Sequence, residues 1–121
     1  MLIKGIIPVM PAPFTEHEEL ELEALERLVD FAFRAYAAGV CLPAYASEFY
    51  KLTHSERGAT IRTAVKGCKG RLPLLAQSND PSARTAAEIA RRSADWGADV
   101  IAFAIPRQFA VPEEEILRYC S

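Results

Sequence analysis

No apolar run in this chain is long enough to cross a bilayer, and the stretch nearest the amino terminus is broken by Pro8, Pro11 and Pro13. Neither a membrane partner nor a secretory leader is expected. An excess of positive charge is also missing. Lys and Arg number 14 against 16 Asp and Glu, and the arginines are scattered, so no nucleic-acid partner is expected. Cysteine is scarce and odd in number: Cys41, Cys68 and Cys120 lack paired spacing, which argues against a disulfide framework and for reduced thiols in a cytoplasmic protein. His17 and His54 stand alone, without the spacing of a metal motif. No GxGxxG or GxxxxGKS/T phosphate loop occurs. The acids Glu113 to Glu115 read as a helix start and not as a calcium loop.

What is present is a globular profile, half hydrophobic and a quarter charged. Ile6 to Met10 reads as a short strand ending in a proline-stiffened loop. Leu22, Leu25, Leu28, Val29, Ala32, Phe33 and Tyr36 recur at three- and four-residue steps. They predict an amphipathic helix with acids at its start and Gly39 as its left-handed stop. Val40 to Leu42 is a buried strand closed by Pro43. Thr53 and Glu56 have capping-box spacing, so a helix is expected from Ser55 to about Lys66, weakened by Gly58 and closed by Gly67, Gly70 and Pro73. Leu74 to Ala76 is the next strand, with Gln77, Ser78 and Asn79 as its polar end. Asp80 and Pro81 read as N-cap and N1 of a third helix. Its apolar face is Ala83, Ala86, Ala87, Ile89, Ala90 and Ala94, reaching Trp96, and Gly97 stops it. Val100 to Ile105 is a fourth strand, and Pro112 opens a fourth helix.

Apolar strands alternating with helices, without hairpin signals, argue an α/β fold with a parallel sheet. An open doubly wound sheet lacks its glycine-rich loop here. The other arrangement is a (β/α)8 TIM barrel, which needs eight units and about 250 residues. This chain supplies about the first four. Residues 1–121 are then expected to form the N-terminal half of a single barrel domain, incomplete at its C-terminus.

The segment Gly39 to Thr53 organises the rest: strand, loop of small residues, then helix start. In parallel α/β proteins ligands sit at the carboxyl ends of strands. Tyr45, Ala46, Ser47 and Glu48 occupy that place, and Arg107 follows the fourth strand. Tyr45, at the carboxyl end of a strand, is a candidate for facing the barrel mouth and lining the pocket. Glu48 is a site residue or orients its loop through backbone hydrogen bonds. Arg107 could hold a carboxylate bidentately or lie solvated in its loop. Gln77, Ser78 and Asn79 could bond a polyhydroxy substrate, although a turn also explains Asn79-Asp80-Pro81. Cys41 and Trp96 are expected in the core, His17 and His54 at the surface, and Cys68 in a loop.

Taken in order, several segments resemble the pyruvate-dependent class I lyases typified by dihydrodipicolinate synthase and N-acetylneuraminate lyase. Gly5-Ile6-Ile7-Pro8-Val9-Met10-Pro11-Ala12-Pro13-Phe14 is similar to the family's first strand and Thr-Pro-Phe turn, with Ala12 for threonine. Leu22 to Gly39 resembles its first barrel helix. Ala44-Tyr45-Ala46-Ser47-Glu48, followed by Leu52-Thr53, falls where the family has Gly-Thr-Thr-Gly-Glu and Leu-Thr. Arg71 to Ala76 matches its third strand, and Ile105 to Phe109 with Pro112 stands at its Pro-Pro-Tyr-Tyr segment. The resemblance implies a Schiff base between a lysine and pyruvate or a related 2-oxo acid, with aldol-type carbon–carbon cleavage or formation. It places that lysine on the sixth strand and a relay tyrosine on the fifth, both beyond Ser121, so no catalytic residue is expected within this chain and the chain alone should be inactive. Tyr45, Ala46, Ser47, Glu48, Arg107 and Phe109 are the implied substrate-binding positions. Ser47 Oγ could replace a lost threonine hydroxyl, with backbone N–H donors at Ala46 and Ser47. Tyr45 replaces a relay threonine and Phe109 a tyrosine, which argues against dihydrodipicolinate synthase itself. The implied protein is a cytoplasmic homotetramer, a dimer of dimers, without metal or organic cofactor. The alternatives are a non-catalytic half-barrel or paralogue, or a dehydratase or decarboxylase on the same scaffold.

Overall fold

The computed structural model describes residues 2–106 and 110–121. Its elements run α1 (Leu22–Arg34), β1 (Val40–Cys41), α2 (His54–Cys68), β2 (Leu74–Gln77), α3 (Ala83–Asp95), β3 (Val100–Ala102) and α4 (Glu113–Cys120). Two single turns of 3₁₀ helix, Tyr45–Ser47 and Phe49–Lys51, lie between β1 and α2. The three strands are parallel and ordered β1-β2-β3, each joined to the next by a helix. Right-handed crossovers in unbroken order put the helices on one face, with no reversal of strand order of the kind a doubly wound sheet has. This is an arc of barrel wall.

Sheet register decides which side chains meet the helices. Leu74 and Ala76 are fully buried and share a core with Val40, Leu42, Leu25 and Val29, and with Ile61 and Ala64 of α2. Alternation along β2 then turns Leu75 and Gln77 to the opposite face, the barrel interior. Cys41 stands level with Leu75, Leu75 with Val100, and Gln77 with Ala102. The interior layer at the carboxyl edge is thus led by Gln77.

Several expectations are corrected. Ile6 to Met10 lies along β1 through Ala38 N–H to Ile6 O, Cys41 N–H to Pro8 O and Met10 N–H to Cys41 O. Only Val9 forms a bridge, with Cys41, because Pro8 and Pro11 have no N–H to extend a ladder. The α1 helix ends at Arg34, and the left-handed residue is Tyr36 (φ 59°). Gly39 serves close approach instead: a Cβ there would stand 2.9 Å from the Pro73 carbonyl. The α2 helix runs through Gly67 and ends at Cys68, with Lys69 (φ 50°) and Gly70 (φ 70°) reversing the chain. Gly58 admits the Trp96 indole, which a Cβ would meet at 3.0 Å. Cys68 is therefore a buried helix residue, not a loop thiol.

The third helix is capped by Ser82, whose hydroxyl accepts from Thr85 N–H, while Asp80 accepts from Ser82 N–H in the preceding turn. Its buried face is Ala86, Ile89 and Ser93, narrower than the alanine pattern predicts, with Ala83, Ala87 and Ala94 exposed. The β3 strand stops at Ala102, because Asn79 Oδ1 takes the Ala104 N–H that a ladder carbonyl would otherwise accept. Cys41 is buried in its strand as expected. Trp96 is partly buried against the core. Among the described residues no helix is long and apolar enough to cross a membrane.

Candidate functional site

The loop after β1 is built from two short turns with a left-handed joint. Ser47 N–H donates to Ala44 O and Glu48 N–H to Tyr45 O, closing the first turn; Lys51 N–H donates to Glu48 O in the second. Glu48 joins them at φ 52°, a conformation non-glycine residues enter at a cost of about 1 kcal/mol. Its carboxylate faces solvent and accepts from Lys51 Nζ at 2.9 Å. That bond holds the Lys51 ammonium above its ordinary pKa.

Ser47 is buried and its hydroxyl is engaged within the protein. It donates to the Met10 carbonyl at 2.5 Å and accepts from Ala44 N–H at 3.3 Å. The hydroxyl ties the loop to the first segment and is not turned to a ligand in this arrangement. Of the two backbone donors named from the sequence, that of Ser47 is spent in its turn. The Ala46 N–H, at an exposed residue, falls in the first turn, where a 3₁₀ helix has no internal acceptor for it.

Tyr45 is 43% exposed, its ring edge-on to Phe49 with centroids 5.0 Å apart. The Arg57 guanidinium lies 4.6 Å from the centre of the Phe49 ring. The resulting stack of Arg57, Phe49 and Tyr45 supports the loop from the helix side. Burial lowers the Arg57 pKa, with Asp80 opposing, and its Nη1 is buried with no partner among the described residues. Sequence reasoning passed over Arg57, since a helical arginine usually signals a solvated face.

The polar end of β2 makes the strongest long-range ties. Gln77 Oε1 accepts from Tyr45 N–H at 2.9 Å and from Asn79 Nδ2 at 2.9 Å, and Asn79 Oδ1 accepts from Ala104 N–H at 2.7 Å. Three strand ends are therefore braced through two side chains. Tyr119 of α4 donates its hydroxyl to Asp80 O at 2.7 Å and packs near Phe103, and burial raises its pKa. Arg107 and Phe109 lie outside the described residues.

His54 is exposed and beside the third helix: its Nε2 meets Arg92 Nη1 at 2.5 Å, and Arg92 also pairs with Glu88 at 2.6 Å. These groups, with Arg57, Leu52, Thr85 and Ile89, border an open cleft of about 370 Å³ between α2 and α3. Among the described residues no three His, Cys, Asp or Glu side chains gather as metal ligands would.

Comparison with known proteins accounts for this architecture. The chain is 32% identical over 119 residues to the L-2-keto-3-deoxyarabonate dehydratase of Azospirillum brasilense, covering 96% of this chain and 38% of that one. It is 29% identical over 120 residues to the 4-hydroxy-tetrahydrodipicolinate synthase of Methanopyrus kandleri, covering 98% and 40%. The chain thus spans about 40% of the length of these relatives. The crystal structure of YagE of Escherichia coli K12, a prophage protein of the dihydrodipicolinic acid synthase family in complex with pyruvate, superposes with a TM-score of 0.91. It shares 29% identity and is matched over 99% of this chain and 40% of its own. The α/β arc is part of that family's barrel. With the dihydrodipicolinate synthetase family model matching residues 2–121, the chain belongs to that family.

Proposed function

We propose that residues 1–121 are the amino-terminal half of one (β/α)8 domain in a Schiff-base-forming lyase or synthase. Its substrate is pyruvate or a related 2-oxo acid, and its reaction is aldol-type carbon–carbon cleavage or formation. The observation that carries this reading is the loop after β1. It stands at the carboxyl edge of the parallel strands, where the family resemblance puts the 2-oxo acid carboxylate, and it leaves the Ala46 N–H over from its own turn. Tyr45 and Glu48 flank that position, and Ser47 holds the loop's shape. Arg107 and Phe109 complete the proposed set.

The covalent step belongs to residues beyond Ser121. A lysine amine there condenses with the keto carbon and releases water, and the imine then stabilises the carbanion formed as the carbon–carbon bond breaks or forms. The lysines within the chain are poor substitutes. Lys51 and Lys66 are each held above their ordinary pKa by a hydrogen-bonded carboxylate, Glu48 and Glu26, and a protonated amine cannot attack. The full polypeptide is expected to trap pyruvate irreversibly under borohydride, seen as an adduct by intact mass, and the 121 residues alone are expected not to. An adduct on the 121-residue chain, or none on the full one, overturns the reading.

A dehydratase on the same scaffold is the second reading. It is favoured by the 32% identity to L-2-keto-3-deoxyarabonate dehydratase, and by Tyr45 and Ala46 where dihydrodipicolinate synthase has threonines. Substrate profiling of the full polypeptide, with and without an aldehyde acceptor, separates the two. By resemblance the full protein assembles as a homotetramer.

A further inference from the structure

The Gln77 carboxamide has a defined orientation that its neighbours impose. A backbone N–H can only donate, so Ala104 requires Asn79 to present its oxygen, which turns Asn79 Nδ2 toward Gln77. Tyr45 N–H, again only a donor, independently requires an oxygen at the same place. Two separate donors, Tyr45 N–H and Asn79 Nδ2, therefore hold Oε1 toward the loop and toward Asn79. The amide nitrogen is left pointing elsewhere, and its two N–H groups have no partner among the described residues. Alternation along β2 sets this side chain on the interior face, level with Ala102, whose methyl group leaves room beside it.

We propose that Gln77 is a substrate-binding residue whose Nε2–H donates to the carboxylate of the 2-oxo acid, together with the Ala46 N–H of the adjoining loop. The inference rests on the proposed function, since it needs a 2-oxo acid at this edge of the barrel. It gives a physical answer to a deficit in the loop. Neither Tyr45 nor Ala46 supplies an aliphatic hydroxyl, and the Ser47 hydroxyl is committed to Met10. An anion held without a metal requires several convergent donors, and Gln77 supplies one from the neighbouring strand. Asn79, 3% exposed, acts as its positioning residue.

The test uses the full polypeptide and the pyruvate dependence of borohydride trapping. Gln77→Glu keeps an oxygen for Tyr45 N–H and Asn79 Nδ2 but removes the donor and sets a negative charge against the substrate. Gln77→Met removes the donor without adding charge. A charge-assisted hydrogen bond is worth roughly 10- to 100-fold in affinity. The half-saturating pyruvate concentration is expected to rise about that much in Gln77→Met, and further in Gln77→Glu, with the trapped fraction at saturation unchanged. Half-saturation within twofold of wild type in folded Gln77→Glu would show that the side chain is only a brace, and overturns the inference while leaving the proposed function intact. No trapping in the wild type overturns both. If Gln77→Glu fails to fold, half-saturation within twofold of wild type in Gln77→Met overturns the inference, since methionine lacks both the donor and the oxygen of the brace.

Discussion

The three thiols occupy three different environments, and their reactivity follows from them. Cys41 is desolvated inside its strand, and burial with the nearby Asp99 pushes the Cys68 thiol up to about 11, whereas Cys120 is exposed. Thiolates, not thiols, attack disulfide reagents. At pH 8 one cysteine is expected to react at once with a chromogenic disulfide, and all three only in denaturant. Fast labelling of two or more in the native chain would mean that the core around α1 and α2 opens readily. Single residues were unevenly legible in the sequence. Cys41 was placed correctly by its apolar neighbours, but Cys68, flanked by glycine and lysine, has no local sign that α2 carries it under the sheet. The engaged atoms of Ser47 were hidden for a related reason: its partner, the Met10 carbonyl, is 37 residues away.

Among elements, α2 has the best-defined start. Thr53 Oγ1 accepts from Glu56 N–H at 3.2 Å and Glu56 accepts from Thr53 N–H at 2.7 Å, the reciprocal box expected from spacing alone. Thr53→Ala is expected to cost about 1 kcal/mol, read as a lowered unfolding midpoint. The hydrogen bond from Thr53 N–H holds the Glu56 carboxyl below its ordinary value of 4.5. A depressed folded pKa gives stability that is fully present above the unfolded value and lost as pH falls through the folded one. The midpoint gap between wild type and Glu56→Gln should therefore narrow from pH 7 to pH 3; a constant gap assigns the effect to something other than ionisation. Boxes of this kind are legible because both partners lie within one turn. The start of α3 was not, because Asp80 and Ser82 are both good caps and only the chain's path selects between them. The lengths of the outer strands also escaped, since proline at one edge and the Asn79 side chain at the other end their ladders early.

At the scale of the molecule, a parallel α/β fold was readable from the alternation of strands and helices, and the barrel from the missing glycine-rich loop and the family resemblance, while the openness of the arc is a matter of what its edges touch. Phe103 is 50% exposed, Ile6 79% and Val9 44%, along the two flanks of the sheet. Unpaired strand edges carrying apolar side chains invite other chains. The 121 residues produced alone are expected to associate with rising concentration in sedimentation velocity; a single monomeric boundary throughout would show that the flanks tolerate water. The loop after β1 has a different dependence, on time. Its turns are local, yet its hydroxyl is anchored to a residue 37 positions earlier and its Tyr45 N–H to one 32 positions later. During synthesis it can take its final shape only after Gln77 has left the ribosome and β2 has docked. The part of the chain that would meet the substrate thus becomes ordered only after a residue 32 positions downstream has been made, and a pause in translation before Gln77 would hold it unformed.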